Sequence, residues 1–294
     1  MTNSRILTQA FEYMAPKNIE ELMGLLKQHG SKARIMAGGT DLVVMMKQEK
    51  VQPAFLIHIM GIPELCHIRE EGGLRIGAAS KLRDVRAFCA DSPYQALHEA
   101  ISVLGKPQVW NMGTIGGNLC TASPAADTAP PLLVLNARVR LLGPKGERVV
   151  PLEDFFTGVN QTVLSPQEIL LSVQTDPMEP GTGNAFMKIA RVGADVSKIT
   201  CAVFLKREGN VCKSCRIALG AVAPVPMRVK EAEALLQDQE MTNAFIERAG
   251  GKVSEEIRPI DDVRSTAEYR RHVAGVLFRD VFWKAWHRAG GEEN

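Results

Sequence analysis

Two pairs of adjacent glycines, each placed after residues typical of a β-strand, are the segments of this sequence best suited to bind an anion. The first pair lies in RIMAGGTDL, residues 34–42, and the second in TIGGN, residues 114–118. Glycine has no Cβ, so it accepts a positive φ and lets another atom approach the backbone closely. Successive amides in such a turn form a concave anion site, and a helix that begins there adds its unpaired amides. One turn would hold one phosphate, and two turns facing one groove would hold a diphosphate.

Polar side chains near both pairs extend this phosphate chemistry. Thr121, Ser123 and Asp127 lie within ten residues of the second pair. Hydroxyl groups bond phosphate oxygens, and an aspartate accepts from a ribose hydroxyl or an amino group. Asp127 is equally compatible with capping a helix entered at Thr128. Asp41 would repel a phosphate unless its carboxylate stays on the helix amides behind the ligand.

A structural alternative exists for each pair taken by itself, because a Gly-Gly turn between a strand and a helix often serves only to reverse the chain. The sequence contains no G-x-G-x-x-G after a predicted strand and no Walker lysine motif. A Rossmann or P-loop nucleotide site is therefore disfavoured.

Composition excludes several other classes of protein. The chain has 294 residues, a net charge of +2 and 5% aromatic residues, which favours neither nucleic-acid binding nor an anionic membrane surface. No run approaches the roughly 18 apolar residues of a membrane span, and the first residues lack the apolar core of a signal peptide. The length predicts two or three packed units.

The six cysteines are scattered along the chain, which predicts reduced thiols and a cytoplasmic protein. Cys212 and Cys215 form one C-x-x-C. No second pair and no histidine pair accompanies it, so we expect no metal site on this chain.

The elements around the first glycine pair are marked by local signals. Residues 19–26 carry Ile and Leu at helical spacing after Asn18, an N-cap candidate with Glu21 three positions on. A short strand is predicted over 34–37 and a helix over 41–47. The first pair should therefore form a strand-to-helix turn, whereas the helix after the second pair is weakly marked.

A domain boundary is predicted near 177–183, where the turn formers of PMEPGTG cluster. The last helix is marked by a capping box of Ser265 and Glu268. Three strand-like runs lie between the boundary and the closing helices, at 185–190, 199–206 and 215–222.

Taken together, AGGTDL and TIGGNLCTASPAAD resemble the FAD-binding subunit of the molybdenum hydroxylases, the family of xanthine dehydrogenase and carbon monoxide dehydrogenase. The resemblance covers essentially the whole chain. It continues in GGLRIGAAS at 72–80, EILLSV at 168–173, FMKIARVGADVSKIT at 186–200 and STAEYRRHVAGVLFRDV at 265–281.

This resemblance implies an α+β fold. The FAD-binding domain would be of the p-cresol methylhydroxylase type, span 1–178 and contain two subdomains, about 1–60 and 61–178. A C-terminal domain over 179–294 would combine a three-stranded sheet with helices.

The resemblance also implies the residues that bind FAD. Lys188 would lie near the pyrimidine edge of the flavin, where a cation stabilises the negative charge of the reduced ring. The alternative for Lys188 is a solvated strand residue without a functional role. The other matching positions are Ala37, Gly38, Gly39, Thr40 and Asp41 in a first phosphate loop, Thr114, Ile115, Gly116, Gly117 and Asn118 in a second, Thr121, Ser123 and Asp127 after it, and Leu170 near the adenine or flavin groove.

The function implied is electron transfer. FAD on this chain would receive electrons from two [2Fe–2S] clusters and a molybdenum centre, and would pass them to NAD, a quinone or oxygen. The molybdopterin and the clusters would belong to a large and a small partner subunit. No acid–base catalytic residue is expected here. A stand-alone flavin oxidoreductase and a non-catalytic scaffold of the same fold are the alternatives.

Overall fold

The computed structural model describes residues 7 and 9–290 of the chain. Its first unit is a parallel sheet of three strands in the order β1-β3-β2. Leu22 and Leu26, one helical turn apart, pack with Ile57 in one buried cluster. The elements are β1 (Glu12–Met14), α1 (Ile19–His29), β2 (Ala33–Met36), α2 (Leu42–Lys47) and β3 (Phe55–His58).

The start of α1 confirms the predicted cap. The Asn18 side chain accepts a hydrogen bond from the Glu21 amide at 2.8 Å. The Glu21 carboxylate in turn accepts from the Lys17 amide at 2.7 Å, so both side chains bind orphan amides at the helix entry.

The middle unit is built on an antiparallel sheet of five strands in the order β4-β5-β10-β6-β7. Helices cover this sheet, and its largest cluster of buried residues includes Ile76, Val139 and Val173 from three adjacent strands. The elements are β4 (Ile68–Glu70), β5 (Leu74–Gly77), α3 (Leu82–Ala90), α4 (Gln95–Val103), α5 (Pro107–Met112), α6 (Ile115–Thr121), α7 (Ala129–Val134), β6 (Arg138–Gly143), β7 (Gly146–Pro151), α8 (Leu152–Phe155), β8 (Phe156–Gly158), β9 (Gln161–Thr162) and β10 (Ile169–Gln174).

The C-terminal unit contains the three long strands expected from the sequence, paired antiparallel in chain order, and two short strands that extend the sheet at the third. Helices cover one face, where Phe278 and Phe282 are fully buried. The elements are β11 (Thr182–Ile189), β12 (Ile199–Glu208), β13 (Val211–Gly220), β14 (Met227–Arg228), α9 (Lys230–Leu236), β15 (Gln239–Glu240), α10 (Asn243–Glu256) and α11 (Ala267–Arg288).

Polar contacts fasten the middle unit to the C-terminal unit. Glu99 of α4 accepts from the Phe186 amide at 2.8 Å and from Arg288 at 2.5 Å and Lys284 at 2.8 Å. Burial raises the pKa of the Glu99 carboxyl, but the hydrogen bonds from Arg288, Lys284 and the Phe186 amide outweigh it and hold the pKa below its usual value. Asn184 adds a hydrogen bond from the Ala96 amide at 2.7 Å.

The predicted capping box of the last helix is wrong by one residue. Helix α11 is capped by Thr266, whose hydroxyl accepts from the Tyr269 amide at 3.2 Å. Ser265 is held in a turn instead: its amide donates to the Asp262 carboxylate at 3.1 Å, and its carbonyl accepts from the Asp262 amide at 3.0 Å.

Candidate functional site

The first glycine pair lies in a loop, residues 37–41, between the end of β2 and the start of α2. A Cβ built on Gly38 would lie 1.7 Å from the carbonyl oxygen of Met112, so a larger residue would collide with backbone. Gly39 has a φ of +71°, in the left-handed region that other residues rarely adopt. Both glycines are therefore required by the backbone geometry of this loop.

The amides of this loop are the feature that suits it to an anion. Within the described part of the chain, the backbone N–H groups of residues 38–41 make no hydrogen bond. The carbonyls of Gly39 and Asp41 are used, because they accept from the Val43 amide at 3.0 Å and the Met45 amide at 2.9 Å. Gly38, Gly39 and Thr40 are half-buried, so their amides need an external acceptor, and phosphate oxygens are strong ones.

The second glycine pair does not form the predicted second turn of free amides. Helix α6 begins at Ile115, so Gly116 and Gly117 lie in its first turn. Their amides are already bonded, that of Gly116 to the Ala78 carbonyl at 2.9 Å and that of Gly117 to the Thr114 hydroxyl at 3.0 Å. A Cβ on Gly116 would lie 2.6 Å from the Ala78 carbonyl oxygen, so this glycine permits close packing.

Both segments nevertheless face one cavity of about 450 Å³, within the usual range of ligand pockets. Of the residues expected from the sequence, those that line it are Ala37, Gly38, Gly39, Thr40, Asp41, Thr114, Gly117, Asn118 and Thr121.

Asp41 does not meet the condition that would keep its carboxylate on the helix amides. Asp41 occupies the N-cap position of α2, but its side chain makes no capping hydrogen bond. Its carboxylate accepts instead from the Thr121 hydroxyl at 3.0 Å. This bond joins the first glycine loop to the end of α6 across the cavity.

Several expected residues lie away from the cavity wall. Ile115 and Gly116 are buried in the packing of α6, and Leu170 is buried in the cluster of the middle sheet. The Ser123 hydroxyl accepts from the Ala125 amide at 3.2 Å. The structure therefore brings only part of the expected set to the cavity.

Asp127 and Lys188 form a buried ion pair. The Lys188 Nζ lies 2.7 Å from the Asp127 carboxylate, with 6% and 7% of the two side chains exposed. Ser197, fully buried, donates to the same carboxylate at 2.6 Å. Burial raises the pKa of Asp127, and the charge of Lys188 and the hydrogen bonds from Lys188 and Ser197 oppose that rise.

This pairing removes two of the alternatives left by the sequence. Asp127 does not cap α7, whose N-cap is Thr128, and Lys188 is not a solvated strand residue. The Lys188 Nζ also donates to the Val103 carbonyl at 3.3 Å, next to Leu104 on the cavity wall. Lys188 is thus charge-paired close to the cavity rather than free within it.

Other cavity-lining residues were missed by the sequence analysis. Arg34 lies inside the quoted RIMAGGTDL segment, so its position beside the loop was a usable signal. The same holds for Ile35, Met36 and Leu42 in that segment, and for Gly113 and Cys120 beside or within the second one. The lining residues without a local signal are Met45, Val51, Leu82, Leu104, Val109 and Asn160.

Among the described residues, no three His, Cys, Asp or Glu side chains are grouped so that they could hold a metal ion. In the same part of the chain, no helix combines the length and apolar character that a membrane crossing requires.

Comparison with known proteins agrees with this geometry. The profile of the family described as "FAD binding domain in molybdopterin dehydrogenase" matches residues 9–175. A second profile, "CO dehydrogenase flavoprotein C-terminal domain", matches residues 184–285.

Curated relatives match over nearly their full length. The carbon monoxide dehydrogenase medium chain of Hydrogenophaga pseudoflava is 35% identical over 280 residues, 95% of this chain and 98% of the relative. The xanthine dehydrogenase FAD-binding subunit of Escherichia coli O157:H7 is 30% identical over 89% of this chain and 91% of the relative.

Solved structures share the fold. A chain of carbon monoxide dehydrogenase from Hydrogenophaga pseudoflava superposes with a TM-score of 0.92 at 36% identity, covering 96% of this chain and 99% of that chain. A chain of quinoline 2-oxidoreductase from Pseudomonas putida 86 gives a TM-score of 0.88 at 27% identity, covering 95% and 98%.

The cavity and the unpartnered amides of residues 38–41 fit a cofactor that carries a diphosphate, as FAD does. The first matched profile covers the first and middle units and names FAD, and the second covers the C-terminal unit. The chain belongs to the family of FAD-binding medium subunits of the molybdenum hydroxylases, and it is an FAD-dependent oxidoreductase subunit.

Proposed function

We propose that this chain is the electron-transfer flavoprotein of a molybdenum-dependent dehydrogenase. In this role it receives electrons from [2Fe–2S] clusters on a partner chain and passes them through FAD to an external acceptor. The observation that carries the proposal is the run of unpartnered amides at residues 38–41, which faces a cavity of about 450 Å³.

The first loop holds the diphosphate in this proposal. Its amides donate to phosphate oxygens, and the absence of side chains at Gly38 and Gly39 keeps the backbone accessible. The Thr121 hydroxyl donates a hydrogen bond to the Asp41 carboxylate at 3.0 Å. This bond holds the carboxylate in place and limits its repulsion of the phosphates. Bound FAD supplies the redox chemistry, and the protein contributes binding, orientation and electrostatics.

The second segment contributes side chains rather than amides. Thr114, Asn118 and Thr121 line the cavity from α6 and its N-cap. We assign hydrogen bonds to the cofactor to Thr114 and Asn118, and to Thr121 the bond that holds the Asp41 carboxylate. For Ile115, Gly116, Ser123 and Leu170 we propose an indirect part, because each supports the packing or the backbone around the cavity.

Asp127 and Lys188 are proposed to shape the electrostatics next to the cofactor. Their charges cancel over 2.7 Å, so the pair adds a dipole rather than a free cation. Since Lys188 also bonds the carbonyl of Val103, the pair fixes the chain just before Leu104.

The proposed partners are a large molybdopterin-binding subunit and a small [2Fe–2S] subunit. Support comes from relatives that are named as medium chains or FAD-binding subunits. A cytoplasmic location is proposed because the six cysteines are free thiols. We further propose the domain boundary at 178/179, because the buried cluster of the C-terminal sheet begins at Ala185.

A visible absorption spectrum of the full chain, with the released cofactor identified by chromatography, tests the proposal. We expect FAD at about one per chain, because the cavity offers one diphosphate site. FMN, or no flavin even after incubation with FAD, would overturn it. Turnover of a small substrate by the isolated chain would favour a stand-alone oxidoreductase instead.

The electron route needs its own experiment. The chain loaded with FAD should show no substrate oxidation alone and should be reduced once the molybdenum and [2Fe–2S] subunits and their substrate are added. Flavin bleaching, followed in a stopped-flow spectrometer, reports this step. If the flavin stays oxidised while the iron–sulfur clusters are reduced, the proposed route is wrong.

A further inference from the structure

The cavity extends from the glycine loop along strand β2. Its wall contains every residue from Arg34 to Asp41, and Met45 and Val51 continue the same side. A strand rises about 3.3 Å per residue, so the Cα of Arg34 lies at most about 13 Å from that of Gly38, and less where the chain bends after Met36. If a ligand is anchored at the loop by its diphosphate, the group that contacts Arg34 is the nucleoside that extends from the diphosphate along β2.

Arg34 is distinguished by its charge. Among the described residues that line the cavity, it alone carries a positive charge, and Asp41 alone carries a negative one. One guanidinium nitrogen of Arg34 donates to the carbonyls of Ser31 at 3.3 Å and Ala33 at 3.2 Å. Within the described chain its other nitrogens have no partner, so the planar group is held at one edge and available at its face.

The surroundings of Arg34 suit a flat aromatic ring. Met45 and Val51 line the same cavity as Arg34 and add apolar surface to its wall. Arginine stacks on aromatic faces as well as pairing with anions, which lysine does not do in the same way. On the other wall, Leu82, Leu104 and Val109 come from the middle unit, close to the contact between Lys188 and the Val103 carbonyl.

We propose that Arg34 is a specificity-determining residue that contacts the adenine half of FAD and makes the site select a dinucleotide over FMN. The flavin half then lies against the apolar wall of the middle unit, beside the Asp127–Lys188 pair. This inference rests on the proposed cofactor site. It adds the residue that recognises the adenine half of FAD, which takes no part in electron transfer.

The test compares three nucleotides on the full chain prepared without flavin. FAD carries both halves, FMN carries the flavin and one phosphate, and ADP carries adenosine and a diphosphate. We expect Arg34→Ala to weaken FAD and ADP by about 3- to 25-fold, the range of a partly exposed cation–π contact, and to leave FMN unchanged. Arg34→Lys keeps the positive charge but not the planar group. It should therefore restore only the charge-dependent part of the lost FAD and ADP affinity, which is the part that high salt screens.

The matched control is Arg83→Ala, which removes an exposed arginine of α3 that pairs with Asp84 at 3.1 Å and does not line the cavity. It should leave all three affinities unchanged. Because Arg34 is exposed, its variants should keep the unfolding temperature of the parent.

Three outcomes would overturn the proposal. Equal weakening of FAD and FMN by Arg34→Ala would mean that Arg34 faces the flavin or acts on phosphate by charge. Unchanged FAD and ADP affinities would make Arg34 a solvated surface residue, with the cofactor site intact. Failure of the parent chain to bind FAD would remove the proposed function together with this inference.

Discussion

The two Gly-Gly segments line the same cavity, but their glycines have different structural roles. In the first, the amides of residues 38–41 have no partner within the described chain, and one glycine has a φ of +71°. In the second, the glycines are helical and their amides bond to Ala78 and Thr114. The first segment offers backbone donors, whereas the second lets a helix approach a strand.

This difference shows that a glycine pair has to be interpreted through its hydrogen bonds. An amide that already donates inside the fold is not available to a phosphate, however bare its backbone. In the second segment, binding therefore depends on side chains, because Thr114, Asn118 and Thr121 are the polar groups it turns to the cavity. The first segment contributes its backbone amides to binding, whereas the second contributes the packing of its helix and its side-chain hydroxyls.

The largest effect is expected for Gly38→Ala. Its new Cβ would lie 1.7 Å from the Met112 carbonyl oxygen, so the loop or the end of α5 must move and the amides lose their arrangement. We expect essentially complete loss of FAD, measured as the ratio of flavin to protein absorbance after purification.

The matched control for this variant is Gly24→Ala, a helical position of α1 where a Cβ meets nothing within 4 Å. It should keep full flavin content and unchanged or slightly higher stability. If Gly38→Ala does not fold, Gly39→Ala replaces it, since the nearest contact there is a side-chain atom of Val43 at 3.2 Å. Full flavin content in a folded variant of either kind would break the comparison.

Gly116→Ala should give the reverse pattern, a loss of stability with retained binding. Its Cβ would lie 2.6 Å from the Ala78 carbonyl oxygen, which resembles overpacking of a core. We expect the free energy of unfolding to fall by about 1–3 kcal/mol. Urea unfolding of the flavin-free chain measures this. A variant with unchanged stability but no FAD would show that the second pair binds phosphate through its backbone after all.

Thr114→Val tests the side-chain role of the second segment. The Thr114 hydroxyl caps α6 by accepting from the Gly117 amide at 3.0 Å. Removing an N-cap costs about 0.5–2 kcal/mol of stability, and FAD affinity should fall as well because this residue lines the cavity. Thr114→Ser keeps the acceptor and should restore both quantities. If the serine variant behaves like the valine variant, the hydroxyl is not the group that matters.

Local sequence signals were sufficient for the first segment and insufficient for the second. The cap at Asn18, the β2 strand and the turn into α2 are set by neighbours in sequence, and all three match the structure. Helix α6 contradicts local propensity, because each glycine costs about 1 kcal/mol in a helix. The contact of Gly116 with Ala78, which comes from another element, favours the helix there.

The charged residues near the site could be predicted from the sequence, but their pairing with each other could not. Asp127 and Lys188 were both expected near the cofactor, yet they are 61 residues apart, and no pattern indicated that each neutralises the other. Ser197 lies inside the quoted segment 186–200, but nothing in the sequence indicated its hydrogen bond to Asp127, 70 residues away. Pairs of this kind depend on how the middle and C-terminal units pack against each other, and the hydrophobic periodicity of the sequence does not predict that packing.

The smallest expected effect concerns the hydrogen bond between Thr121 and Asp41, which joins α6 to the first glycine loop. The Thr121 hydroxyl lies 3.0 Å from the Asp41 carboxylate and 2.9 Å from the Gly117 carbonyl. In Thr121→Val the carboxylate is released toward the cavity, so FAD affinity should fall by about 3- to 10-fold. Fluorescence titration at low and high salt measures the loss, and its electrostatic part should shrink as salt screens the carboxylate.

The double variant Thr121→Val with Asp41→Asn separates repulsion from a lost contact. If the freed charge weakens binding, removing that charge should return most of the affinity, and the two substitutions will not be additive. If the double variant binds as weakly as Thr121→Val alone, the hydroxyl itself contacts the cofactor. Thr121 would then be a direct ligand, as proposed for Thr114 and Asn118, rather than a residue that acts through Asp41. The contrast between the two segments would still hold for the glycines, whose amides are free in the first and bonded in the second.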